Sequence, residues 1–154
     1  QIVDLGAAPG SWTQYIVQRV GPSGKVLAID VTPLSWTPPA WVQFEQRDVF
    51  SSEVEALIKG KSWNGIVSDM APRTTGVRVT DHTRSAELVR RSLALAREGL
   101  QPGGFWIAKL LEGPTLSALR QEARPNFARI EIYRPPATRT GSTECFLIGL
   151  HFQP

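Results

Sequence analysis

Seven short apolar runs, each separated from the next by a helical pattern or a turn-rich loop, leave few architectures open to this 154-residue chain. The runs are residues 2–5, "KVLAID", "WVQFEQ", "NGIVSD", "FWIAKLL", "FARIEIY" and "ECFLIGLHF". Between them the spacing predicts a helix over 11–20, with Ser11 as N-cap and Gly21-Pro22 as its stop. "SSEVEALIKG" reads as a short helix opened by serine and closed by Gly60. "TDHTRSAELVRRSLALAREGL" puts Ala86, Val89, Leu93, Ala96 and Leu100 on one helical stripe, which "QPGG" breaks. A further helix is expected over "TLSALRQEA". Strands alternating with helices imply an α/β fold, a mostly parallel seven-stranded sheet with helices on both faces. Only "RPPATRTGST" joins the last two runs, too short and too rich in Pro and Gly for a crossover helix, so these strands should pair antiparallel. No repeat, linker or low-complexity segment divides residues 1–154, which read as a single domain.

The 42% apolar and 20% charged fractions describe a globular protein. No apolar run reaches the roughly 18 residues of a membrane span, and no signal-peptide pattern opens the chain, so a cytoplasmic protein without a membrane partner is expected. One cysteine, Cys145, rules out an internal disulfide framework and reads as core, and two histidines supply no clustered metal-ligand spacing. The chain begins at Gln1, and its only methionine is Met70, which reads as a processed or trimmed chain. Its net charge of +3 is mild, but arginine is concentrated in two places. Residues 73–91 carry Arg73, Arg78, Arg84, Arg90 and Arg91; residues 120–139 carry Arg120, Arg124, Arg129, Arg134 and Arg139. If they meet on one face they would flank an acidic polymer; otherwise they are ordinary solvated helix faces.

In an open α/β sheet, ligands collect beyond the carboxyl ends of the strands. Gly6 and Gly10 follow the first strand, Asp30 ends the second, Asp48 follows the third, Asp69 ends the fourth and Lys109 lies in the fifth. Asp30 stands 20 residues beyond Gly10, where an acidic residue of a nucleoside-binding βαβ unit takes ribose hydroxyls. A dinucleotide fingerprint would want a glycine two residues after Gly6, where Ala8 stands. A nucleoside without phosphates fits better, and the sulfonium of S-adenosylmethionine suits an acidic rim of Asp48 and Asp69. Asp30 and Asp48 read equally well as turn caps. Trp36 and Trp41, in "LSWTPPAW", are open to two readings: stacking on a base, or a hydrophobic flap over the sheet edge.

"DLGAAPGSW", "SDMAP", "LQPGGFWIAKLLEG" and "TRTGSTECFLI" together resemble the FtsJ/RrmJ family of RNA ribose 2'-O-methyltransferases, from near Val3 to near Leu150. The resemblance implies a Rossmann-like S-adenosylmethionine-dependent methyltransferase fold. It implies that Gly6, Pro9, Gly10 and Trp12 hold the methionine part of the cofactor. Asp30 would take the ribose, Asp48 the adenine edge, and Asp69 the methionine amino group. Asp69, Lys109 and Glu144 match three members of the family's Lys-Asp-Lys-Glu catalytic set. The first lysine normally lies on a helix before the first strand, which this chain begins too late to contain. Arg139 and Ser142 fit the family's substrate-RNA side, while "LLEGPT" diverges from its glycine-containing strand exit.

The implied activity is methyl transfer to an RNA ribose, with large-subunit ribosomal RNA as the expected substrate, no metal, and a monomeric enzyme. Transfer RNA and messenger-RNA caps are the alternative acceptors. From other classes, a nicotinamide-dependent oxidoreductase and a catalytically silent RNA-binding domain remain as rival readings. Lys109 would act either as a base of lowered pKa or as a charged group orienting the hydroxyl. Its competing reading is a strand lysine snorkelling to the surface.

Overall fold

The computed structural model describes residues 1–72, 75–136 and 144–154. Its strands are β1 (Ile2–Leu5), β2 (Val26–Asp30), β3 (Val42–Gln46), β4 (Trp63–Ser68), β5 (Leu100–Leu111), β6 (Phe127–Tyr133) and β7 (Glu144–Phe152). The helices are α1 (Ser11–Val20), α2 (Ser52–Ile58), α3 (Arg78–Gly99) and α4 (Leu116–Ala123). The strands form one seven-stranded sheet in the order β3-β2-β1-β4-β5-β7-β6. β1 to β5 run parallel, and β7 is antiparallel to both β5 and β6. The expected α/β sheet, including its reversed last strand, is therefore present.

Period-two alternation decides what each side of this sheet packs against. Val3, Leu5, Leu27, Ile29, Ile66, Trp106, Ala108, Leu110 and Leu147 face one side, where α2, α3 and α4 contribute Val54, Ile58, Val89, Leu93, Ala96 and Leu119. Four of the five residues in the predicted stripe of α3 lie within the helix and are buried; the fifth, Leu100, is also buried but opens β5. Trp106 anchors this layer. Its ring stacks on Phe127 at 5.9 Å, and its indole N–H donates to Ser92 Oγ at 3.0 Å, so the polar end of a fully buried ring is satisfied. The other side carries a smaller cluster, Ile2, Val26, Val42 and Val67 against Ile16 of α1.

Three local expectations are corrected. Ser11 is the first helical residue and not the N-cap; Gly10 takes that place and α1 has no side-chain cap. Gly10 can do so because its φ of 127° suits a residue without Cβ. The long helix begins before Thr80, at Arg78, because buried Asp81 gathers the chain just upstream. Its carboxylate accepts the Thr75 N–H and hydroxyl and the Gly76 N–H, and the Thr75 amide chiefly holds its pKa below the usual range. "QPGG" lies inside β5 rather than before it. The β4–β5 register jumps there from Trp63↔Leu100 to Gly65↔Phe105, since Pro102 has no N–H to pair and Gly103 has φ 82°. Ser51 does cap α2 as expected, accepting the Val54 N–H.

Candidate active site

The apolar run of β1 delivers the chain into the turn "GAAPG" at the carboxyl edge of the sheet. Gly6 has φ 78°, and a Cβ there would lie 2.7 Å from the Met70 nitrogen, so backbone from two parallel strands meets at a distance only glycine allows. At Gly10 a Cβ would collide with the indole of Trp36. Ser35 fastens this loop: its N–H and its hydroxyl both donate to the Pro9 carbonyl, at 3.0 and 2.8 Å. Trp36 is thus a flap seated on the glycine turn, and Trp41 packs on the small apolar cluster under α1.

Beyond the turn opens a cleft of about 920 Å³. Gly6, Pro9, Asp30, Asp48, Asp69 and Lys109 line it, joined by Ile29, Val31, Phe50, Met70, Arg84, Glu87 and Leu88, among others. Gly10, Trp12 and Glu144 are not part of this lining. Trp12 stacks on Phe146 at 5.6 Å, with 26° between the rings. Arg139 and Ser142, like Arg73, fall outside the described residues.

Asp30 and Asp48 both hold turns, as one of their two readings required. Asp30 Oδ2 accepts the Ala8 N–H at 2.9 Å and Oδ1 the Thr32 N–H at 2.8 Å, so its carboxylate ties the glycine turn to the end of β2. Asp48 Oδ1 accepts the Phe50 N–H at 2.9 Å. Each carboxylate oxygen has a second lone pair. Holding the turn therefore leaves acceptors free to face the cleft.

At the opposite end of the cleft Lys109 Nζ lies 2.9 Å from Asp69 Oδ1 and 3.7 Å from Glu144 Oε1. Lys109 is a nearly buried strand residue, its side chain 14% exposed, so the snorkelling reading fails. The sheet explains the meeting. β4 and β5 are parallel neighbours, so Asp69, just past the end of β4, reaches a residue late in β5; β7 runs back, so its first residue, Glu144, lies beside the end of β5.

Asp4 was not singled out from the sequence. It is fully buried beneath the glycine turn; Thr13 Oγ1 donates to its Oδ2 at 2.6 Å, and Oδ1 finds no hydrogen-bond partner among the described residues. Burial chiefly, then the nearby Asp69 and Asp30 carboxylates, push its pKa up to about 6 against the pull of the Thr13 hydroxyl. The visible signal was an aspartate inside the otherwise apolar "IVDL". Cys145 is buried as expected, and burial pushes its thiol up to about 11.

Several arginines of the two segments are taken up in ion pairs, of which Arg90–Glu122 joins one segment to the other. Arg90 forks onto Glu122 of α4, and Arg91 binds the Val49 and Ser51 carbonyls and Glu55. Arg134 forks onto Glu112. From the first segment Arg84 turns into the cleft. Among the described residues no cluster of His, Cys, Asp and Glu could hold a metal ion, and no helix is long and apolar enough to cross a membrane.

The fold, a mostly parallel seven-stranded sheet with a reversed last strand, is shared with solved structures of methyltransferases. A ribosomal RNA methyltransferase of Plasmodium falciparum superposes with a TM-score of 0.81 at 24% identity, covering 98% of this chain and 85% of that one. The fibrillarin pre-rRNA processing protein of Methanococcus jannaschii gives 0.72 at 15% identity, covering 99% and 66%. Sequence narrows the class further: the model of the FtsJ-like methyltransferases matches residues 1–152, and the chain belongs to that family. Ribosomal RNA large subunit methyltransferase E of Oleidesulfovibrio alaskensis is 39% identical over 156 residues, 99% of this chain and 75% of the relative. Its namesake in Lawsonia intracellularis is 40% identical over 155 residues, 99% and 78% of the two.

Proposed function

We propose that this protein transfers the methyl group of S-adenosylmethionine to a ribose 2'-hydroxyl of RNA, with large-subunit ribosomal RNA as substrate. The observation that carries the reading is the Lys109–Asp69 pair closing one end of a cleft whose other end bears Asp30 and Asp48. The lining suits the methyl donor. Its carboxylates Asp30, Asp48, Asp69 and Glu87 outnumber Arg47, Arg84 and Lys109 by one formal charge, which favours a cationic ligand over the diphosphate of a nicotinamide cofactor. Val31 and Phe50, more than half exposed, offer apolar surface to a purine. Asp30 would take the ribose hydroxyls, Asp48 the adenine edge and Asp69 the amino group, with Gly6, Pro9, Gly10 and Trp12 forming and supporting the methionine side.

S-adenosylmethionine supplies an electrophilic methyl on sulfur. The chain's task is to bring one hydroxyl in line with it while the hydroxyl's proton passes to water. An ammonium has three N–H donors; one of Lys109's is committed to Asp69, leaving others for the ribose oxygen. Glu144 holds the lysine from its other side. Arg139 and Ser142 would contact RNA, and the charge of Arg139 makes that binding weaken with salt. The reading puts the enzyme in the cytoplasm, as a monomer. Methyl-labelled cofactor incubated with purified ribosomal subunits, then mapping of alkali-resistant ribose, tests this. Label at a single 2'-O position of large-subunit RNA is expected; label in transfer RNA alone would replace the substrate, and none in any RNA would overturn the activity.

A further inference from the structure

We infer that Tyr133 is the stacking platform for an unpaired base of the RNA substrate, an inference that rests on the RNA reading above. Three neighbouring strands place Lys109, Phe146 and Tyr133 in one row: Lys109 pairs with Phe146 across β5–β7, and Phe146 with Tyr133 across β7–β6. Directly opposed residues of antiparallel strands project from the same face, so all three side chains stand on the side that carries the site. The Phe146 ring is flanked twice, by Trp12 at 5.6 Å and by Tyr133 at 6.4 Å with 39° between planes. Trp12 occupies Phe146. Tyr133 ends the row, and it is 51% exposed.

Position in the sheet says what that ring can meet. The cleft lies over β1, β2 and β4 and ends at Lys109, so a methyl donor fills that side of the lysine. The acceptor must approach from the other side, over β7 and β6. Tyr133 stands two strand spacings from Lys109, roughly 10 Å. That matches the reach from a ribose held at Lys109 to its own base or the next. A half-exposed aromatic ring backed by a second ring, in continuity with a ribose-handling site, is how proteins hold splayed, single-stranded bases. Arg134, the next residue in the chain, is forked onto Glu112, while the Tyr133 ring stays half exposed.

The experiment compares wild type, Tyr133→Ala and Tyr133→Phe with methyl-accepting ribosomal RNA, and with a short single-stranded oligoribonucleotide carrying 2-aminopurine. For Tyr133→Ala the KM for RNA should rise about tenfold or more, with S-adenosylmethionine affinity unchanged. Quenching of 2-aminopurine fluorescence on binding, present in wild type, should disappear. Tyr133→Phe should restore both, because the ring and not the hydroxyl makes the contact. Wild-type KM and quenching in Tyr133→Ala would overturn the platform while leaving the activity intact; so would a Tyr133→Phe variant as impaired as the alanine. Absence of methyl transfer to RNA by the wild type would instead remove the reading on which the platform stands.

Discussion

The two faces of the sheet are built from the same strands and differ in almost every other respect. Beneath α2, α3 and α4 the central strands β1 and β5 present apolar side chains in succession: Val3 then Leu5, Trp106 then Ala108 and Leu110. On the α1 side the same strands begin apolar and turn charged two residues later. Ile2 is followed by Asp4, Val67 by Asp69 and Ile107 by Lys109. Only one face is closed by a continuous layer of helices. Alternation thus lets a single strand hold the fold together with odd positions and do chemistry with even ones, or the reverse. The lesson is that Asp69 and Lys109 stand where their strands leave the helix cover, at the carboxyl edge, whereas Asp4 stays buried against α1.

The sharpest way to break this division is to exchange effects between faces. Trp106→Ala should lower stability by about 3–5 kcal/mol, through the lost ring and the cavity beside Ser92 and Phe127, seen as a fall in urea midpoint. Lys109→Met should leave that midpoint nearly unchanged and lower kcat/KM for methyl transfer by about a hundredfold or more, some 3 kcal/mol of barrier. A Lys109 variant that unfolds while Trp106→Ala stays stable would reverse the assignment of the two faces.

Asp4 lies between the extremes, a charge-bearing group with core burial. Its pKa is raised from the ordinary 3.8 to about 6, so over that window the folded chain keeps a proton the unfolded chain has lost. Stability therefore falls as pH rises from about 4 to 6, by up to about 3 kcal/mol, and stays lowered above it. Asp4→Asn, which retains an acceptor for Thr13, should flatten this slope in chemical denaturation at pH 4, 5, 6 and 7. An unchanged slope would show that another group titrates. Smallest of all, Arg90→Ala should shift stability by no more than about 1 kcal/mol and leave methyl transfer alone, because its pair with Glu122 is solvent-exposed.

The apolar face and the antiparallel pairing of the last two strands were legible because both follow from local pattern. The runs and the stripe of α3 need only periodicity, and the ten residues of "RPPATRTGST" cannot hold a crossover. The cleft's ring of Gly6, Asp30, Asp48, Asp69 and Lys109 was legible because strand ends gather at one edge of a parallel sheet. What escaped depends on contacts distant in sequence. Asp4 looks like a defect in an apolar strand until Thr13, Asp30 and Asp69 surround it. The arginines leave a basic face and ordinary solvated helix faces equally open until Glu122, Glu55 and Glu112 are found against them. Arg84 and Phe50 enter the cleft by side-chain direction, which spacing does not reveal. Ser11 was misread because glycine can begin a helix by backbone freedom alone.

The reversed β7 has a bearing on how the molecule comes into being. β5 acquires its second neighbour only when Glu144–Phe152, nearly the last residues of this chain, slide between it and β6. Until then one rim of β5 offers a row of unpaired amides and carbonyls, close to Trp106 and Leu110, to any other chain that passes. During synthesis the glycine turn, Asp30, Asp48 and Asp69 can assemble early, from parallel strands completed within the first half of the chain. Lys109 and Glu144 meet only once β7 has been made and has paired beside β5. A nascent chain would then be able to hold a small ligand before Glu144 reaches Lys109, and the strand that seals the sheet against aggregation is the same strand that brings that carboxylate to the lysine.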